Sequence, residues 1–407
     1  MPTDRLDQLL RERVDDLERT GTAKHRESVI TGILPPTAAD GPRYLLAGEG
    51  DRAFIRMNSN GYLGMALRAE IIAAEERAAR EFGTGPQAVR FISGTFAPHT
   101  QLEQRLAAFH QREAAMLVSS AYATVMAVLP SLVTPETVVV SDELNHNCII
   151  NASRLAQPGQ KLVYPHLDLA RLEDALSDAA PARRAIVVTD GVFSMRGDHA
   201  PLDRIMATSE HHDDRYPENV VVLVDDSHGV GAFGATGRGT EEVTGARVDV
   251  LVGTLGKAFG VNGGYVVGSR HLIDYLRETA ATYVYSNPIT PAEAAAAHAA
   301  VDLLDSATGI ELLDGLRAMT ARFRSGLVEL GHETIPGEHP VVPLMVRDTD
   351  RTRSLVTYLH EHGVLATGLA YPVVPRGEDE VRFQISADHT PADIDTVLDV
   401  LEAFPGP

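Results

Sequence analysis

At 407 residues, 44% apolar and 23% charged, the chain has the balance of a globular protein with room for two or three domains, which excludes a disordered one. A formal net charge of −20 excludes a general polyanion-binding surface such as nucleic acid needs, and no apolar run approaches the ~20 residues that span a bilayer. One cysteine, Cys148, excludes an internal disulfide and a cysteine-built metal centre, so no metal and a reducing, cytoplasmic setting are expected.

The first segment, MPTDRLDQLLRERVDDLERTG, lacks the apolar core of a signal peptide. Its apolar positions Leu6, Leu9, Leu10, Val14 and Leu17 recur at helical spacing and predict an amphipathic helix. Residues 30–56 are rich in Gly and Pro and read as a connecting arm, so residues 1–56 are taken as helix plus arm. From 57 to 288 helical stretches such as HTQLEQRLAAFHQRE and DLARLEDALSDA alternate with short Val-rich runs: AMLVSS, TVVVSDE, AIVVTDG, NVVVLVDD, VDVLVGT and GGYVVGS. Runs apolar on both faces suit strands buried between helix layers, which predicts an α/β domain with a mainly parallel sheet. The pair His211-His212 lies in an acidic stretch and reads as solvated surface. From 289 to 407 an Ala-rich helix, the strand-like HPVVPLMVR and VRFQISA, and a closing helix PADIDTVLDVLEAF predict a smaller α+β domain.

Several of the predicted strands end in polar groups: Asp142, Asp190, Asp225 with Asp226, and Thr254. Ligands of open α/β sheets gather beyond the carboxyl ends of their strands, so these side chains are expected to face one cleft. Just past one such end stands Lys257, in GTLGKAFGVNGG, a single amine among five glycines. A phosphate-binding P-loop would need Ser or Thr after that lysine, and Ala258 stands there. Lysine otherwise occurs only at Lys24 and Lys161, so this chain meets its surface needs with arginine. Unlike arginine, a lysine amine deprotonates and condenses with carbonyls. An aspartate at one strand end, a lysine at another and His228 close by match the needs of pyridoxal phosphate. The amine forms an imine with the cofactor and the carboxylate keeps its pyridine nitrogen protonated. Thr254 offers a hydroxyl to the phosphate. Asp225 by itself would read as a strand-end cap; its pairing with Lys257 and His228 is what points to a cofactor.

These segments sit in an order that resembles the α-oxoamine synthase family of fold-type I pyridoxal phosphate enzymes, and within it the glycine C-acetyltransferase branch. The resemblance runs through NSNGYLGM (58–65), VRFISGT (89–95), SDELNHNCIINASRL (141–155), TDGVFSMRGD (189–198), VDDSHGVG (224–231), GTLGKAFG (253–260), YVYSNPITP (283–291), YPVVPRG (371–377) and VRFQISADHT (381–390). It implies that Lys257 is the Schiff-base lysine, that Asp225 partners the pyridine nitrogen, and that His228 and Ser194 meet the phenolic oxygen. His146 would stack over the ring and reach the substrate. The backbone N–H groups of Ala121 and Tyr122, with Thr254, would hold the phosphate. Ser286 and Asn287 would reach the neighbouring subunit's site in a homodimer with shared active sites. Arg382 would clamp the amino-acid carboxylate, a planar group suited to a guanidinium, with Asn60 beside it. Taken alone, Ser194 and Asn60 also read as turn residues, His146 as a strand-end histidine, and Arg382 as an outward-facing arginine.

The reaction so implied condenses an amino acid, glycine foremost, with an acyl thioester borne by coenzyme A or a carrier protein. The product is a 2-amino-3-oxo acid or, after loss of CO2, an α-amino ketone. An aminotransferase or lyase would share Lys257 and Asp225 but release no thiol. A silent partner subunit of the same family would lack the lysine. Two departures stand out: Gly61 where the family often has Asn or Asp, and Ala123, Thr124 and Val125 where it carries polar neighbours.

Overall fold

The computed structural model describes residues 3–20, 23 and 27–405. Residues 1–2 of the expected helix and arm, Lys24, and residues 406–407 of the expected C-terminal domain lie outside them. The first helix, Asp4–Arg19, forms where the leucine spacing predicts it, yet Leu6, Leu9, Leu10, Val14 and Leu17 all stay exposed. Residues 30–56 are not an irregular connector. They form β1 (Ile30–Leu34), β2 (Arg43–Leu46) and β3 (Ala53–Arg56), paired antiparallel in sequence. Pro35, Pro36, Pro42, Gly48 and Gly50, which suggested a connector, sit between these strands.

The central sheet is built from β4 (Ala114–Val118), β5 (Thr137–Asp142), β6 (Gln160–Tyr164), β7 (Arg184–Asp190), β8 (Val220–Asp225), β9 (Val250–Thr254) and β10 (Gly264–Gly268). Their order is β4-β10-β9-β8-β7-β5-β6. Pairing is parallel from β9 through β6, and only β10 runs antiparallel to its neighbours. The Val-rich runs form strands because the sheet is covered on both faces. Along β5, Val138 and Val140 pack into one core and Val139 into another. Likewise β7 divides Ala185 and Val187 from Ile186 and Val188, and β8 divides Val222 and Val224 from Leu223. This is the two-residue alternation of an extended chain.

The C-terminal region carries β11 (Val341–Met345), β12 (Val364–Leu365), β13 (Thr367–Leu369) and β14 (Glu380–Gln384). β11, β14 and β13 make a small antiparallel sheet with helices Ala307–Glu329, Thr349–Glu361 and Pro391–Glu402. β12 instead adds in parallel to β3, so the first sheet is completed from the far end of the chain. The segment after β3 is stitched to the end of β14. Gln384 N–H donates to Met57 O at 2.8 Å, Ala387 N–H to Tyr62 O at 2.8 Å, and Ser386 Oγ to Gly61 O at 3.1 Å. Among the described residues no helix is long and apolar enough to cross a membrane.

One buried ion network ties the segment before helix Ala97–Phe109 to that helix, to β4 and to helix Arg270–Thr279. Arg90 donates to both oxygens of Glu103 (3.2 and 3.1 Å), which also meets Arg277 at 2.8 Å and accepts from Leu117 N–H at 3.0 Å. A single helical turn of the π type, Arg90–Gly94, turns Arg90 inward and leaves Phe91 and Ile92 each 65% exposed.

Candidate active site

The carboxyl ends of β7, β8 and β9 open onto a cleft of about 240 Å³ lined by Asp190, Asp225 and Thr254 from the strands and by Lys257, His228, Ser227, His146, Cys148, Ser194, Ala121 and Tyr122 from the loops and helix starts around them. Sheet topology therefore brings the expected lysine and aspartate into one cavity. Two of the strand-end acids turn away from it. Asp226 follows Asp225, so alternation points it to the opposite side, where Oδ1 and Oδ2 accept from Thr240 Oγ1 (2.6 Å) and N (2.7 Å). Asp142 caps the next loop, accepting from Leu144 N–H and Leu167 N–H at 2.9 Å each and meeting His166 at 3.1 Å.

Lys257 sits on a tight loop after β9, held by bonds from Gly260 N–H to Lys257 O (3.0 Å) and from Val261 N–H to Leu255 O (3.0 Å). Gly260, at φ +70°, is required there: a Cβ would stand 2.4 Å from Ala66 N. Among the described residues the Lys257 amine has no hydrogen-bond or ion-pair partner. Burial lowers it to about 8, against the pull of Asp225 and Asp190. A lysine so placed is part free amine near neutrality.

Asp225 is held asymmetrically. Its Oδ1 accepts from Ser227 N–H (3.1 Å) and Ser227 Oγ (2.5 Å), whereas Oδ2 meets only the Cys148 thiol at 3.4 Å. Asp190, its in-register neighbour on β7, accepts from His146 N–H at 3.0 Å through Oδ2 and leaves Oδ1 buried without a partner. Burial and the adjacent Asp225 charge push the Asp190 carboxyl well up. His146 caps helix Asn147–Ala156. Its Nδ1 accepts from Cys148 N–H at 3.2 Å, so in the neutral ring Nε2 carries the hydrogen. Burial lowers the His146 imidazole; Asp225 opposes that and Lys257 adds to it.

At the far end of the cleft, Ser120 caps helix Ala121–Leu132 by accepting from Ala123 N–H at 3.1 Å. The amides of Ala121 and Tyr122 head that helix, an arrangement that suits a phosphate. β10 presses against this point so closely that a Cβ on Gly264 would lie 2.3 Å from Ala121 N. Thr254 lines the cleft, with its hydroxyl donating to Gly263 O (3.2 Å) and accepting from Gly256 N–H (3.2 Å). Ala123, Thr124 and Val125 belong to the helix rather than the lining, Thr124 and Val125 being buried in its packed face.

The substrate side is built by β14. Arg382 donates through Nη1 to Ser194 O at 2.7 Å, has no ion-pair partner among the described residues, and keeps a buried Nε unbonded. Its charge is felt at Lys257, His228 and Tyr62. Asn60 turns its Oδ1 toward Gln384 Nε2. Neither Arg382 nor Asn60 lines the cavity itself. Ser286 and Asn287 do not line it either; they follow Tyr285, which is 82% exposed. His211 and His212 stand near Glu173 outside the cleft, as surface groups whose ligand-type atoms lie within 4.8 Å of one another.

These residues fit pyridoxal phosphate: a free helix start for the phosphate, one open carboxylate oxygen for the pyridine nitrogen, an unpartnered lysine amine in the same cleft, and, beside it, a guanidinium without an ion-pair partner among the described residues for a carboxylate. Sequence reasoning missed Ser227, Cys148, Asp190 as a buried carboxyl, and Tyr62. Ser227 and Cys148 stand two residues from Asp225 and His146, and that adjacency was a usable signal. Tyr62 gave none beyond its place in NSNGYLGM.

Residues 52–401 match the family Aminotransferase class I and II. The chain is 39% identical over 350 residues to an 8-amino-7-oxononanoate synthase of Thermosipho melanesiensis, covering 86% of this chain and 87% of that one. It is 39% identical over 399 residues to the mitochondrial 2-amino-3-ketobutyrate coenzyme A ligase of Bos taurus, covering 97% and 90%. Among solved structures it is similar to the serine palmitoyltransferase of Sphingomonas wittichii (TM-score 0.88, 27% identity, 98% and 97% covered). It is also similar to that of S. paucimobilis with PLP and myriocin bound (TM-score 0.86, 26% identity, 98% and 97% covered).

Proposed function

The chain belongs to the aminotransferase class I and II family, among its pyridoxal-phosphate-dependent α-oxoamine synthases, and we propose that it joins the α-carbon of glycine to the acyl group of an acyl-coenzyme A. A carbon–carbon bond forms between that α-carbon and the thioester carbonyl, the carbon–sulfur bond breaks, and the thiol leaves with a proton. The fold is that of fold-type I enzymes, and the activity is C-acyl transfer. The observation that carries the reading is the cleft in which Lys257, the open oxygen of Asp225 and the free helix start at Ala121 meet.

When bound, pyridoxal phosphate supplies a protonated ring that draws electrons from the amino acid's α-carbon. Oδ2 of Asp225 holds the proton on the pyridine nitrogen, because an opposite charge favours the charged form. His228 and Ser194 face the phenolic oxygen. The amides of Ala121 and Tyr122 would hold the phosphate, together with the Thr254 hydroxyl once its hydrogen turns from Gly263 O. Arg382, assisted by Asn60, grips the substrate carboxylate and so sets the direction of the Cα–H bond. Lys257, part free amine near neutrality, removes the α-proton. His146, with its Nε2 hydrogen directed away from the capped helix, donates to the thioester oxygen.

Glycine and an acetyl donor are supported by the likeness to the 2-amino-3-ketobutyrate ligase. That relative's name contains the product of glycine and an acetyl group. The equal identity to 8-amino-7-oxononanoate synthase favours, as a second reading, a longer acyl chain, another amino acid or a carrier-protein donor. The enzyme works as a homodimer in which Ser286 and Asn287 complete the partner's site. The exposed Phe91, Ile92 and Tyr285 and the uncovered leucine stripe of helix Asp4–Arg19 support that assembly. A chain with one cysteine, buried beside the cleft, suits the cytoplasm. Measuring free thiol across a grid of amino acids and acyl thioesters tests the assignment. Release only with glycine and a short acyl-CoA upholds it, and thiol-free conversion of the amino acid refutes it in favour of a transaminase or lyase.

A further inference from the structure

We infer that Tyr62 is a positioning residue that fixes the tautomer of His228, so that the imidazole presents an N–H to the cofactor's phenolic oxygen. This rests on the placing of His228 at that oxygen. Tyr62 is fully buried, and its hydroxyl lies 2.7 Å from His228 Nδ1. Its only other hydrogen-bond neighbour among the described residues, Asn60 Oδ1, is 3.5 Å away and already receives Gln384 Nε2. The phenol's own hydrogen therefore goes to the nearer acceptor, His228 Nδ1. In a neutral ring whose Nδ1 accepts, Nε2 must carry the hydrogen.

The surroundings of His228 keep that ring neutral. Burial lowers it well below its ordinary range, and the nearby Lys257, His339, Arg382 and His146 add to the effect. His339 holds the backbone of the same residue. Val341 N–H donates to His339 Nδ1 at 3.1 Å, so His339 Nε2 carries a hydrogen and donates to His228 O at 2.9 Å. The edge of His339 meets the Tyr62 ring at 5.6 Å and 78°. Tyr62 is thus held at its backbone by Ala387 N–H, just beyond β14, and at its hydroxyl by His228, just beyond β8. The charge of Arg382, where a substrate carboxylate would bind, acts on its phenol.

The test is Tyr62→Phe in the cofactor-loaded enzyme, read by the pH midpoint of the bound cofactor's absorbance and by kcat against KM. Without the phenol, Nδ1 loses its donor and the Nε2 hydrogen is no longer enforced. The phenolic oxygen is then less well stabilised as an anion, and the midpoint moves to higher pH. kcat should fall about tenfold, as for the loss of one oriented hydrogen bond, with KM for glycine held within about twofold. On a His228→Asn background Tyr62→Phe should cost nothing more. An unmoved midpoint, or a full further loss on that background, overturns the inference. If Tyr62→Phe does not fold, the nitrogen-15 shifts of the His228 ring in the cofactor-loaded wild type decide: a hydrogen on Nε2 and a bare Nδ1 are expected, and the opposite tautomer overturns the inference. The underlying reading fails separately, if the wild-type enzyme shows no cofactor band that depends on Lys257.

Discussion

Ser227 grips one oxygen of Asp225 from two sides, through its amide at 3.1 Å and its hydroxyl at 2.5 Å, while the other oxygen meets only a thiol. A carboxylate bound in this way cannot rotate freely, and its open oxygen stays aimed into the cleft. Asp225→Asn keeps the shape and removes the charge that would hold a pyridine nitrogen protonated. Thiol release should fall by about a hundredfold or more, while the cofactor still binds and the chain still folds. Circular dichroism and the cofactor's absorbance check the second half of that statement.

Lys257 should react with added cofactor in a pH-dependent way whose sign follows from its environment. Burial lowers the amine to about 8. Below that value the ammonium form predominates and cannot condense with an aldehyde; above it the free amine does. The rate of reloading cofactor-stripped enzyme should therefore climb as pH rises toward 8 and level off beyond it. A rate that keeps climbing to pH 10, as an ordinary exposed lysine would give, contradicts this.

Glu103 should matter to stability out of proportion to its place in the fold. Its carboxylate balances Arg90 and Arg277 and takes the Leu117 amide in a site where the Arg90 and Glu103 side chains are 3% and 7% exposed. Glu103→Ala leaves buried charge unpaired, at a cost of roughly 3–5 kcal/mol. The denaturant midpoint should drop accordingly, with the exposed Phe91 and Ile92 turn loosened along with Arg90.

Ser286 lies outside its own chain's cleft. If it completes the partner's phosphate site, Ser286→Ala should speed cofactor loss on dialysis, with no change in the thermal midpoint of the cofactor-free protein. Equal retention by wild type and variant would count against a shared site.

The parts of this molecule that a sequence displays best are those decided locally. Val138 to Val140, Ile186 to Val188 and Val222 to Val224 are apolar at every position because helices cover both faces of the sheet, and that composition is visible in one dimension. β6 escaped the same reading because it is an edge strand. Gln160, Lys161 and Val163 are partly or fully exposed there, so its run is interrupted by polar residues. The strands of residues 30–56 are four or five residues long, too short to outweigh the Gly and Pro around them. Helix Ala307–Glu329 went unread although Leu313, Leu316, Phe323 and Leu327 recur at helical spacing; Gly309, Gly315 and Gly326 break up its helix-forming composition.

The site divides in the same way. Lys257 and Asp225 were legible because each follows a recognisable strand, and strand ends converge in this architecture. Asp142 and Asp226 look the same in the sequence, yet the first caps a loop and the second lies on the wrong side of the chain, which only the backbone direction decides. Tyr62 acts through His228, 166 residues further along, and no local pattern announces a contact of that kind.

The most direct test of the central claim is free thiol measured from an acyl-coenzyme A with and without glycine, in the wild-type enzyme and in Lys257→Ala. Amino-acid-dependent release in the wild type that vanishes in the variant, together with its cofactor band, is the result expected. Release that persists without Lys257, or that ignores the amino acid, would contradict it.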